Sequence, residues 1–154
     1  AFLGMSHSMA HKIGGVHHTV HGRTNAILLP YVIRYNGTRP SKTTTWPKYN
    51  YWKADEKFQD IAKMLGLPHS TPEEAVEAYA KAVYDLGVAV GIKMNFKDQG
   101  IDEKAWKDSL HEIALLAYED QCSPANPRLP MVADMEEIMA DAYYGYAERP
   151  GRRK

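Results

Sequence analysis

Apolar and polar positions follow helical spacing along almost the whole chain. Ala1 to Ile13 alternates small and apolar residues and stops at Gly14-Gly15, which predicts a helix ending there. His17 to Gly22 reads as a loop. Asn25 to Tyr35 contains the apolar run AILLPYVI at 26–33, interrupted by Pro30. Taken alone, that run fits a buried strand or a kinked buried helix. Helix is preferred, because a lone strand among helices has no pairing partner. Residues 37–51 carry Gly37, Pro40, Pro47 and three threonines at 43–45, and read as the longest irregular stretch. Trp46, Tyr49, Tyr51 and Trp52 are expected to pin it by burying aromatic area.

Lys53 to Leu65 is amphipathic through Phe58, Ile61, Ala62 and Leu65, with Gly66 closing it. Thr71-Pro72-Glu73-Glu74 is a capping box with proline at the first helical position. The helix it starts is expected to bury Val76, Tyr79, Ala80 and Val83 and to end at Gly87. Asp102 caps the next, with Trp106, Leu110, Ile113, Ala114 and Ala117 on its apolar face. The proline-rich turn CSPANPRLP at 122–130 leads to a last helix with the stripe Met131, Met135, Ile138, Met139 and Ala142, ended by Gly145. The stripe reads as core filling. The fold class is all-α.

Composition narrows the function classes. The 154 residues suit one domain, and 19 basic against 19 acidic side chains leave no net charge. A general nucleic-acid-binding field is therefore excluded; the basic run Arg149–Lys154 is too short to define a surface. A single cysteine, Cys122, rules out an internal disulfide and fits a reducing, cytoplasmic setting. No apolar run is long enough to span a membrane, and no signal peptide is visible. Ala1-Phe2-Leu3 is apolar and runs straight into a helical pattern. A natural amino terminus is usually polar and loosely held. Ala1 is therefore read as a cut inside a helix, and the chain as a carboxy-terminal piece of something longer.

Candidate chemistry lies in the histidines. Five of seven (His7, His11, His17, His18 and His21) fall in the first 21 residues, while His69 and His111 read as isolated surface residues. His7 and His11 are four apart, so both rings share one helix face. His21 follows one loop later. Imidazole suits zinc, iron, copper or nickel. Three histidines are one donor short of a closed site, and the first acid in the chain is Asp55. Any further ligands must therefore come from outside residues 1–54. Ser8 follows His7 where a zinc protease has its glutamate base, so His7-Ser-Met-Ala-His11 is no hydrolase signature. A pair of solvated or packed rings is the plain alternative.

The stretches His7-Ser-Met-Ala-His11-Lys-Ile-Gly, His21-Gly-Arg-Thr-Asn-Ala and Ile33-Arg-Tyr-Asn36 resemble the iron-dependent (group III) alcohol dehydrogenases. GMSHSMAHKIGG, Glu119-Asp-Gln-Cys-Ser-Pro-Ala-Asn-Pro-Arg128 and Ala142-Tyr-Tyr-Gly145 resemble the carboxy-terminal end of the bifunctional aldehyde-alcohol dehydrogenases. The likeness covers residues 1–146, leaving 147–154 as a polar tail. It implies an all-helical carboxy-terminal domain whose Rossmann-like, NAD(H)-binding partner domain is absent here. In that family an aspartate and three histidines hold one metal ion. The resemblance makes His7 and His21 the two ligands of the helical half and His11 a catalytic histidine beside the metal. Cys122 would lie near the substrate cleft, with simple burial as the alternative. Val20 departs from the proline that many members carry before the loop histidine. His18 stands between a polar cleft role and none, and His17 is read as a surface residue.

The resemblance further implies interconversion of a short primary alcohol, ethanol, and its aldehyde. The metal would be Fe2+, with Zn2+ also suiting the donors, and NAD(H) would be bound mainly by the missing domain. It implies a small alcohol or aldehyde as substrate and a homo-oligomer or filament in the full-length protein, while charge balance and hydropathy point to no nucleic-acid or membrane partner. The fragment alone is expected to be inactive. The alternative is a helical assembly module without catalysis of its own.

Overall fold

The computed structural model describes residues 3–40 and 52–145. Among the described residues six α-helices follow one another: α1 Met5–His17, α2 His21–Gly37, α3 Ala54–Met64, α4 Pro72–Ala89, α5 Glu103–Tyr118 and α6 Val132–Tyr144. A single 3-10 turn, Ser123–Ala125, interrupts the α5–α6 connection. No strand occurs among the described residues, so the Asn25–Tyr35 run is helical, with Pro30 buried inside α2. Residues Ala1-Phe2, Trp46, Tyr49, Tyr51 and the tail 147–154 lie outside the described residues. Trp52 lies within them, and its indole N–H donates to the Asn36 carbonyl at 3.1 Å.

α2 is the hub, packing against α1, α3, α4 and α6, while α5 packs against α1 and α6. The main core joins Met5, Met9 and Ile13 of α1 to Ile27 and Leu28 of α2 and to Met135 and Met139 of α6. Within it Phe96 and Tyr143 each stack on Trp106, at centroid distances of 4.9 and 5.3 Å. Ile33, Val76 and Ala80 form a smaller cluster where α4 meets α2. Two residues expected in apolar stripes are outside: Leu65 and Met131 are 59% and 56% exposed, each sitting at a helix cap where the buried face has run out.

The starts of α4 and α5 follow the sequence. Thr71 Oγ1 accepts the Glu74 N–H at 3.2 Å, and the Glu74 carboxylate accepts the Ser70 N–H at 2.7 Å. Asp102 Oδ1 accepts the Ala105 N–H at 2.9 Å. Two helix ends differ from expectation. α4 runs past Gly87 and closes at Gly91 (φ +83), where Gly91 N–H reaches Val88 and Ile92 N–H reaches Gly87, the paired bonds of a Schellman end. Gly87 is instead a contact glycine: a Cβ there would stand 2.3 Å from Met94 Sδ.

α1 likewise runs through Gly14-Gly15 to His17 and ends at His18, whose φ of 54° is left-handed. His17 explains the extension. It is half-buried, its ring lies 5.3 Å from that of Trp106, and its Nε2 is 3.0 Å from Ser109 Oγ. Its reading as a surface residue is corrected accordingly. The loop between α1 and α2 shrinks to His18–Val20 because His21 already opens α2. Val20 caps α2 with φ −69°, the angle that a proline ring would impose.

Candidate metal centre

The turn after α5 seats the start of α1. Gly4, at φ +89°, donates its N–H to the Cys122 carbonyl at 3.1 Å, a left-handed geometry that favours glycine. Met5 N–H donates to Asn126 Oδ1 at 3.3 Å. Asn126 and Asn36 are both buried and face each other: Asn126 Nδ2 donates to Asn36 Oδ1 at 2.7 Å and to the Arg128 carbonyl at 2.6 Å. One side chain thus joins α1, α2 and the 122–130 turn.

Three imidazoles meet above that seat. His7 lies 5.3 Å from His21 and 6.2 Å from His11 between ring centroids, and His11 lies 5.2 Å from His21. A first-row ion binds imidazole nitrogen at about 2.1 Å, so two rings on one tetrahedral ion stand roughly 5 Å apart. The His7–His21 pair, tilted by 55°, fits that separation. His11 stacks on His21 at 18°, a parallel arrangement that converges less well on a shared ion. Burial, then the neighbouring His21 and His11, lowers the pKa of His7, which keeps its lone pair available. Ser6 Oγ donates to Asn25 Oδ1 at 2.9 Å, and Asn25 Nδ2 approaches His21 Nε2 at 3.2 Å, which links the helices that carry His7 and His21.

The spacing of the first 54 residues gave no sign of the acid that completes this corner. Asp120 comes from 109 positions away, its Oδ2 3.4 Å from His11 Nδ1 and 2.9 Å from Lys12 Nζ. Burial opposes its charge, yet Lys12, the Cys122 N–H and thiol, and His11 outweigh it and hold the carboxyl well below the usual range. Asp120 lies in the Glu119–Arg128 stretch that carries the family likeness, but the sequence singled out only Cys122 there and showed neither Asp120's role nor its partners. Cys122 is buried at 6% exposure, and burial followed by Asp120 pushes its thiol up. It sits beside His11 and Asp120 rather than free in the core.

A groove of about 460 Å³ runs beside His7 between Leu3, Met5, Ala26, Leu29 and Val32. His18 is exposed and lines a separate cleft with Arg23, Gln99 and Asp102. His69 and His111 are exposed, as read, but neither is isolated: His69 Nδ1 is 2.8 Å from the Leu67 carbonyl, and His111 Nδ1 is 2.5 Å from Glu136 Oε1.

Residues 1–143 match the family described as Fe-containing alcohol dehydrogenase family, C-terminal. The chain is 79% identical over its full length to an aldehyde-alcohol dehydrogenase of Streptococcus pneumoniae serotype 2 (strain D39 / NCTC 7466), of which it covers 17%. It is 57% identical, over 96% of its length, to aldehyde-alcohol dehydrogenase 2 of Entamoeba histolytica (strain ATCC 30459 / HM-1:IMSS / ABRM), again covering 17% of that protein. Among solved structures, an alcohol dehydrogenase from Oenococcus oeni superposes with a TM-score of 0.73 at 29% identity, over 92% of this chain and 33% of the other. The chain therefore spans under a fifth of these curated relatives and about a third of a solved alcohol dehydrogenase. It belongs to the iron-containing alcohol dehydrogenase family, and its helices are that family's carboxy-terminal part.

Proposed function

We propose that this chain is the carboxy-terminal part of a metal- and NAD-dependent, cytoplasmic dehydrogenase that interconverts a short primary alcohol, ethanol, and its aldehyde. The supporting observation is the convergence of three imidazoles, with His7 and His21 at the ring separation one cation needs. His7 and His21 would hold that cation, Fe2+ in keeping with the family and with Zn2+ also suited to the donors. When bound, the metal supplies Lewis acidity toward an alcohol or carbonyl oxygen, and the dinucleotide supplies the hydride chemistry.

The chain's own residues do the rest. His11 donates Nδ1–H to Asp120 and so keeps the lone pair on Nε2. That nitrogen takes the hydroxyl proton during oxidation and returns one during reduction. Asp120 orients the ring, and Lys12 fixes Asp120. The groove beside His7 shelters the alkyl part of the substrate from water.

In the full-length enzyme, His7→Ala and His21→Ala should lose metal and turnover together, read by metal analysis alongside rate. Full metal occupancy in either variant overturns the ligand assignment. His11→Ala should retain the metal and slow turnover by roughly 10²–10⁴-fold, the worth of a positioned acid–base group. The fragment alone should neither bind NADH in a calorimetric titration nor turn over; saturable NADH binding would contradict the division of labour proposed here.

A further inference from the structure

We infer that His11, Asp120 and Cys122 form a second metal-binding site, for a soft divalent ion such as zinc or cadmium, adjoining the His7–His21 pair. The three offer an imidazole nitrogen, a carboxylate oxygen and a thiol sulfur, all within 4.8 Å of one another. Donors around a tetrahedral zinc stand about 3.3–3.8 Å apart, so the cluster needs only a contraction of about 1 Å. Sulfur plus imidazole selects zinc or cadmium over magnesium or calcium.

The site is held on two sides. Cys122 is fixed through its carbonyl by Gly4, and its own N–H donates to Asp120 Oδ1 at 3.0 Å. The Asp120 side chain is 8% exposed, whereas His11, at 36%, faces an open entry. The present occupants are one proton and one ammonium: the Cys122 thiol lies against Asp120, and Lys12 Nζ is 2.9 Å from it. Metal entry releases the thiol proton to solvent and lets Lys12, itself 30% exposed, swing outward. A thiolate and a carboxylate then neutralise the dication. His11 binds through Nδ1, the nitrogen facing Asp120, so its remaining proton moves to Nε2.

That tautomer lacks the Nε2 lone pair, so occupancy inhibits turnover. The inhibitory consequence rests on the proton-relay reading of His11; metal binding itself does not.

The test is a cadmium titration of the iron-loaded full-length enzyme, followed by ultraviolet sulfur-to-cadmium charge-transfer absorption and by metal content. The expected result is one further cadmium per chain with retained iron, and a loss of turnover that tracks the absorption. Cys122→Ser and Cys122→Ala, checked for native helicity, should each lose that absorption and that equivalent. Asp120→Asn should weaken binding by at least about tenfold. His7→Ala should keep the absorption. An unchanged band in both Cys122 variants overturns the proposal, as does cadmium uptake matched by iron release. A band that forms without inhibiting turnover refutes the relay reading of His11 while leaving the site intact.

Discussion

His17 shows how a single side chain can set both a helix length and a pH response. Its ring packs on Trp106 and reaches Ser109, so α1 extends two residues beyond the glycine pair that seemed to end it. Burial, then the adjacent His18, lowers its pKa. The unfolded chain therefore binds a proton at higher pH than the folded one, and folding stability falls as pH drops below about 6.5. His7 is lowered too and adds to the same loss. The apo protein should show a lower thermal midpoint at pH 5 than at pH 7.5, and His17→Gln should reduce that difference; an unchanged difference would remove His17 from the account. Gly87 teaches the complementary lesson. A glycine in a helical pattern reads as a stop, but this one makes room for Met94, and no local rule separates the two uses.

At the scale of elements, the caps were legible because they are local. Thr71 and Asp102 each sit three residues before the N–H they accept, a spacing visible in the sequence. Asp102→Ala should cost about 1 kcal/mol, measured by denaturant unfolding, whereas Asp102→Asn should cost much less. α1 has no such signal. Its N-cap is Gly4 without a side-chain acceptor, and its first N–H is satisfied by Asn126, 121 residues away. The α1–α2 turn was misjudged in length for a related reason. His18 takes a left-handed angle that glycine would have advertised, and Val20 takes a proline's angle without being proline. Helix identity was therefore readable throughout, while the helix ends that frame the histidines depend on distant partners.

Across the whole molecule, the Asn36–Asn126 pair is the joint between the first two helices and the turn before the last. Both amides are buried, so deleting one strands the other. Asn126→Ala and Asn36→Ala should each destabilise by roughly 1–3 kcal/mol. The double variant should lose less than their sum, with a coupling of about 0.5–3 kcal/mol. Strict additivity in the double-mutant cycle would mean that the two amides act separately. The same distances explain what sequence alone could not supply. The His7, His11 and His21 grouping is written in 15 consecutive positions, but Asp120 and Cys122 join it only through tertiary structure.

That separation also sets an order in time. On a ribosome working at 5–20 residues per second, the histidines emerge about 5–20 s before the turn that braces them. In that interval the imidazoles sit on a helix whose first N–H groups still lack the Cys122 carbonyl and the Asn126 amide. Firm placement of His7 and His11 thus waits for Cys122 and Asn126, which leave the ribosome roughly a hundred residues later.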